Sequence, residues 1–172
     1  MALMASTRRE VDERSFPLFI YILAPLLALG LQSLVTLHFL RFGMLDLPLM
    51  VVVYFAMARR NPVTATLGGA AVGILQDALT HQPIGVFGIA KAFIGYLAAS
   101  LGVRIDTEAH GTRLVLTFLF MLLHNGIDWV LVRHLLAQPL VWNWLHELLR
   151  AAINALIAVV LFALLDRARI RE

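Results

Sequence analysis

The chain is 172 residues long, 60% hydrophobic and only 15% charged, with a mean hydropathy of +0.83, a composition far from that of a soluble domain. A bilayer core about 30 Å thick takes roughly 20 apolar residues per helix, so a chain this short holds about six spans and leaves no room for a soluble catalytic or nucleic-acid-binding domain. The formal charge is +3 and cysteine is absent, which excludes disulfides, iron–sulfur clusters and thiol catalysis.

Six apolar segments follow in chain order: 16–39, 45–58, 63–79, 85–103, 113–135 and 142–165. The first follows a basic start and resembles a signal peptide, but its run is long and ends without a small-x-small cleavage site. It therefore reads as an uncleaved anchor helix, with Pro25 expected to kink it. The second, "LDLPLMVVVYFAMA", spans only about 21 Å at 1.5 Å per residue, short for a crossing helix and open to a re-entrant reading. Asn61-Pro62 opens the third segment, and Gln82-Pro83 with Gly85 marks the turn before the fourth.

Charge decides whether the second segment crosses. With six spans and the N-terminus inside, the cytoplasmic side carries Arg8, Arg9, Arg14, Arg59, Arg60, Arg104, Arg113, Arg167, Arg169 and Arg171, and the outer side only Arg41 and Arg133. If it did not cross, the later loops would flip and leave only Arg8, Arg9, Arg14 and Arg133 inside, against the positive-inside rule. The arginines thus report topology rather than a nucleic-acid partner. The reading is an all-α integral membrane protein with six transmembrane helices and both ends cytoplasmic. Residues 1–15 form an N-terminal tail, 16–165 the transmembrane domain and 166–172 a C-terminal tail. Trp129, Trp142 and Trp144 fall on the outer side, as an interfacial belt requires.

Small residues mark the third and fourth segments. Ala65, Gly69 and Gly73 recur every four residues, and Gly88, Gly95 and Gly102 every seven, with Ala92 and Ala99 between them. Lipid gives helices no hydrophobic drive to associate, so close approach through small residues becomes a main source of attraction. The stripes predict a tight hairpin, either packed on itself or also offering a groove to a partner helix.

Asp77, Lys91, Asp128 and Arg150 lie inside apolar segments, where a charge costs about 2.5–3.5 kcal/mol on insertion scales and needs a partner or water. Counting from the turn near residue 82 places Asp77 a few ångströms deep and Lys91 about 9 Å deep. A snorkelling lysine would then reach Asp77. Asp128 and Arg150 both sit roughly 10–12 Å deep and are expected to pair. His124 lies one turn from Asp128, and Glu147, Arg150 and Asn154 form one stripe, so the last two helices are expected to face each other with polar residues. These groups lie mainly in the outer half, which argues against a continuous proton or ion path. A pocket for a small molecule or lipid headgroup, or interhelical pairs that fix the bundle or a partner helix, would use them.

No catalytic, metal or cofactor site emerges. "HELLR" at 146–150 begins like the zinc-protease H-E-x-x-H, but Arg150 stands where the second histidine would bind. Neither a G-x-S-x-G turn nor a phosphate-binding glycine loop is present.

Residues 46–96 carry a pattern that resembles the rod-shape-determining MreD family. It consists of a short second helix opening on Asp46-Leu47-Pro48, a basic turn, Gly69, Gly73 and Asp77 in series, Pro83 and Gly85 in the following turn, and Gly95-Tyr96 closing the fourth helix. Lys91 departs from the pattern, where a small or apolar residue is expected. The resemblance implies a non-enzymatic subunit of the bacterial elongation machinery in the plasma (inner) membrane. It would bind the transmembrane helix of MreC and help regulate sidewall peptidoglycan synthesis and cell shape. RodA, its penicillin-binding partner and MreB would be indirect partners, and membrane lipids direct ones. The resemblance also implies a fold similar to the substrate-binding (S-component) subunits of energy-coupling-factor transporters. The alternative function is accordingly a vitamin or small-molecule binding subunit.

Overall fold

The computed structural model describes residues 17, 19–38, 44–107 and 109–168. Arg8, Arg9, Arg14, Arg41, Arg169 and Arg171, counted above in the charge argument, lie outside these residues, as do residues 1–15 of the expected N-terminal tail.

Among the described residues the chain forms six α-helices and no strand: α1 (Ile20–His38), α2 (Leu47–Arg59), α3 (Pro62–Thr80), α4 (Val86–Gly102), α5 (His110–Val130) and α6 (Trp144–Arg167). A π-helical turn, Leu131–Leu135, continues α5. By length and composition, α5 with this extension and α6 are candidates to cross a membrane, while Ile20–Leu34, α2 and α4 are shorter apolar helices.

Local chemistry sets the boundaries. The Asp46 carboxylate accepts the Leu49 N–H and caps α2, which ends at Arg60 in the left-handed region with φ 54°. Asn61 then caps α3 by accepting the N–H groups of Val63 and Thr64, with Pro62 as its first residue, where the missing N–H is harmless. His81 closes α3 in the left-handed region, and Gly85 at φ 107° supplies a conformation that only glycine adopts without strain.

α2 is the centre of the molecule. Every residue from Pro48 to Met57 is buried, which explains its all-round apolar sequence: a helix enclosed on all sides has no face to make polar. α1 covers it through the Tyr21–Phe55 ring pair, with centroids 5.0 Å apart, and α6 through Tyr54–Phe162 at 5.2 Å.

Consecutive helices alternate in direction. At one end Met57 of α2 meets Gly102 of α4, and Arg113 of α5 pairs with Asp166 of α6. Towards the other end, Asp46, Lys91, His124 and Asn154 converge. The outer surface is apolar, with Leu23, Leu27, Leu67, Phe93, Leu119 and Val160 exposed, whereas Gln32, Asp46, Asp77, Lys91, Arg113 and Asn154 are buried. An apolar exterior with the polar side chains drawn inside around an apolar core suits a lipid solvent and would aggregate in water.

Candidate functional site

The polar interior is organised around the segment 44–47 that leads into α2. Three helices grip it. Gln32 of α1 donates to the Leu45 carbonyl at 2.7 Å and accepts the Leu47 N–H at 3.2 Å. Asn154 of α6 accepts the Asp46 N–H at 2.9 Å and donates to the Met44 carbonyl at 2.7 Å. Arg150, one turn earlier, donates to the same carbonyl through Nε at 3.2 Å. From α4, the ammonium of Lys91 meets the Asp46 carboxylate at 2.6 Å.

Lys91 is fully buried. Besides Asp46 it lies 3.3 Å from Nε2 of His124 in α5 and 5.1 Å from the centre of the Phe87 ring. An ammonium only donates, so Nε2 of His124 accepts and the ring proton sits on Nδ1. That Nδ1 is buried without a partner among the described residues. The expected Asp77–Lys91 pair is therefore not formed: Lys91 turns inward to Asp46 instead of snorkelling outward. Burying an ion pair costs desolvation on both sides and is tolerated only when the remaining donors and acceptors are also met. Here the Leu49 N–H supplies Asp46, and His124 and the Phe87 ring supply Lys91.

Asp77 has a different task. From the last turn of α3 its carboxylate accepts the N–H groups of Gly85 at 2.8 Å, Phe87 at 3.1 Å and Gly88 at 3.4 Å. It caps the next helix, α4, filling donors that would otherwise be buried and unpaired, with its negative charge at the positive end of the helix dipole.

The small residues are spent on the α3–α4 contact itself. A Cβ on Gly69 would strike the Lys91 carbonyl, one on Gly73 the Phe87 carbonyl, and one on Gly95 the carbonyl of Ala65, while one on Gly88 would meet Ile74 Cγ1 at 2.9 Å. The two backbones touch, so the faces of Gly69, Gly73, Gly88 and Gly95 form the inside of a hairpin and are not open to a partner helix. Gly68, one position around from Gly69, has nothing within 4 Å of where a Cβ would stand.

The remaining polar residues line a cavity of about 400 Å³ between α5 and α6, bounded by Asn125, Asp128, His146, Glu147 and Arg150 and by the indoles of Trp129 and Trp142. Glu147 accepts from Asn125 at 2.8 Å and lies 3.0 Å from His146. Asp128 and Arg150 face this cavity but make no direct ion pair: the guanidinium is aimed at Met44, and Asp128 has no hydrogen-bond or ion-pair partner among the described residues. Of the expected polar stripes, Asp128, Glu147 and Arg150 line the cavity, whereas His124 turns to Lys91 and Asn154 to the segment 44–46.

A second ion pair, at the opposite end, escaped the sequence reading. Arg113, counted there as a loop charge, is buried. It binds Asp166 and donates through Nε to the Thr107 carbonyl at 2.7 Å, and the Tyr54 hydroxyl also donates to Asp166 at 2.7 Å. Its signal in the sequence was Asp166 beside the arginines of the C-terminal end. Among the described residues no group of histidine or carboxylate side chains is placed to hold a metal ion.

These contacts give each interior charge a structural partner or an acceptor role, apart from the pair facing the cavity. The family model described as "rod shape-determining protein MreD" matches residues 12–168. The chain belongs to the MreD family. It is thus a rod-shape-determining membrane protein, and the residues that mark the family resemblance have visible work. Asp46 is the anchor for Lys91 and the cap of α2, Gly69 and Gly73 allow α3 to touch α4, and Asp77 caps α4. No curated protein and no solved structure matches the chain.

Proposed function

We propose that this MreD-family protein is a non-enzymatic subunit of the bacterial elongation machinery. It spans the inner membrane six times with both ends cytoplasmic, binds the transmembrane helix of MreC, and so helps regulate sidewall peptidoglycan synthesis. The observation that carries the reading is the family match over residues 12–168. Arg59, Arg60, Arg104 and Arg167 flank helix ends on one side of the bundle, in keeping with a cytoplasmic face there.

The open face of α3, with Thr64, Leu67, Gly68, Ala71 and Leu75 exposed, is where a partner helix has access to small residues. Its continuation is a shallow groove lined by Tyr21, Pro25, Phe55 and Gly68. Photo-crosslinking residues placed along this face in intact cells are expected to give an MreC adduct with helical periodicity. Absence of an adduct from every position of α1, α3 and α4, with the protein folded in the membrane, would sink the reading. A transporter-type binding subunit is the second reading, motivated by the cavity between α5 and α6. A soluble vitamin that raises the melting temperature would favour it, since a ligand binding only the native state must stabilise it.

A further inference from the structure

The cavity between α5 and α6 presents two opposite charges that do not meet. Asp128 makes no hydrogen bond or contact ion pair among the described residues, and Arg150 uses only Nε, on the Met44 carbonyl, which leaves its terminal nitrogens without a bond to a described residue. Glu147, by contrast, is already supplied by Asn125 and His146. Held on the Met44 carbonyl, Arg150 stays apart from Asp128 across the cavity, and each keeps capacity for a ligand group of opposite charge. The cavity's volume of about 400 Å³ falls in the usual range of small-ligand sites, roughly 300–1,000 Å³.

The other side of the same wall is apolar. Trp129 and Trp142, ring centroids 5.8 Å apart, also border a groove of about 720 Å³ lined by Leu122, Leu123, Ile127, Val130 and Trp144. The buried indole N–H of Trp142 has no partner among the described residues. A dipolar chamber and a greasy channel sharing a two-tryptophan partition match a molecule with a zwitterionic head and a hydrocarbon tail.

We propose that this paired site binds an aminophospholipid of the phosphatidylethanolamine type. The phosphate meets the free fork of Arg150, the primary amine meets Asp128, and one acyl chain lies in the groove beyond Trp129 and Trp142. Arg recognises phosphate through paired N–H groups, and the carboxylate accepts from an ammonium, so the two residues read the two ends of one headgroup. An anionic phospholipid without the amine satisfies only Arg150. This assignment is independent of where MreC docks.

The three tryptophans of the chain all border the site, so fluorescence of the unmodified protein reports it. Detergent-solubilised protein is titrated with phosphatidylethanolamine carrying brominated acyl chains, a quencher of indole emission. Unbrominated phosphatidylethanolamine, phosphatidylglycerol of the same chains and soluble phosphoethanolamine then compete. The expected result is saturable quenching, displaced about tenfold more effectively by phosphatidylethanolamine than by phosphatidylglycerol, the loss of one charge-assisted contact. Soluble phosphoethanolamine should not displace it at the same concentration, and Asp128→Asn should lower phosphatidylethanolamine to the level of phosphatidylglycerol. Non-saturating quenching, equal displacement by the two lipids, displacement by the soluble headgroup, or an unchanged preference in folded Asp128→Asn would each overturn the proposal. If Asp128→Asn does not elute as a folded protein, the contrast between the two lipids on the unmodified chain decides alone.

Discussion

Lys91 and Asp46 lie 45 positions apart in the chain yet meet at 2.6 Å in a site with no access to solvent. Removing one partner strands the other in a low-dielectric interior, a loss of about 3–5 kcal/mol, whereas replacing both by neutral groups removes the cost together with the attraction. Lys91→Met is therefore expected to destabilise the protein strongly, and Asp46→Asn with Lys91→Met to recover most of the loss, because the asparagine oxygen still accepts the Leu49 N–H. Unfolding of the detergent-solubilised protein, followed by circular dichroism, measures the cycle. A double variant no more stable than the weaker single one would show that the two are uncoupled. The sequence revealed Lys91 and Asp77 as charges needing partners, but counting along a helix gives height and not the direction a side chain faces. A snorkelling lysine could bridge the difference in depth between Lys91 and Asp77, yet Asp77 looks back to the α4 N-terminus and Lys91 into the core. For Asp128 and Arg150 depth alone was likewise insufficient, since Arg150 is aimed at a backbone carbonyl. Asp46 was legible only as the opening of a helix, because nothing local in a sequence announces a salt bridge to a residue two helices away.

The helices themselves were largely legible, since their punctuation is local. Asn61-Pro62 and Gly85 act through neighbouring backbone groups, and the observed ends fall within a few residues of the six apolar segments. The π-helical turn at Leu131–Leu135 was not, as its residues would fit an ordinary helix equally well. The enclosure of α2 by the other helices accounts for its all-round apolar sequence. The α3–α4 contact makes the sharpest prediction at this scale. Gly73→Ala must push two backbones apart, whereas Gly68→Ala meets open space. The first is expected to destabilise by about 1–3 kcal/mol through overpacking. The second should be neutral or stabilising by up to about 1 kcal/mol through helix propensity. Thermal unfolding of the two variants side by side checks this, and equal effects would contradict the backbone contact.

At the scale of the whole molecule, an apolar exterior encloses the buried polar residues, and the ion pairs Lys91–Asp46 and Arg113–Asp166 sit towards opposite ends of the bundle. The absence of cysteine makes the proposed orientation directly testable. Single changes Arg60→Cys and Arg104→Cys are expected to resist a membrane-impermeant thiol reagent in intact cells, and His81→Cys and Ala137→Cys to react with it. The reverse pattern would invert the topology.

We propose that Asp46 and Lys91 hold the helices in place for a partner and perform no chemistry or ion conduction themselves. Replacing the chromosomal copy in the protein's own host by the double variant Asp46→Asn with Lys91→Met tests it most directly, with cell shape as the readout and membrane abundance as the control. Rods at normal abundance are expected. Round cells containing normal amounts of folded double variant would contradict it, because the charges would then be needed for something other than structure.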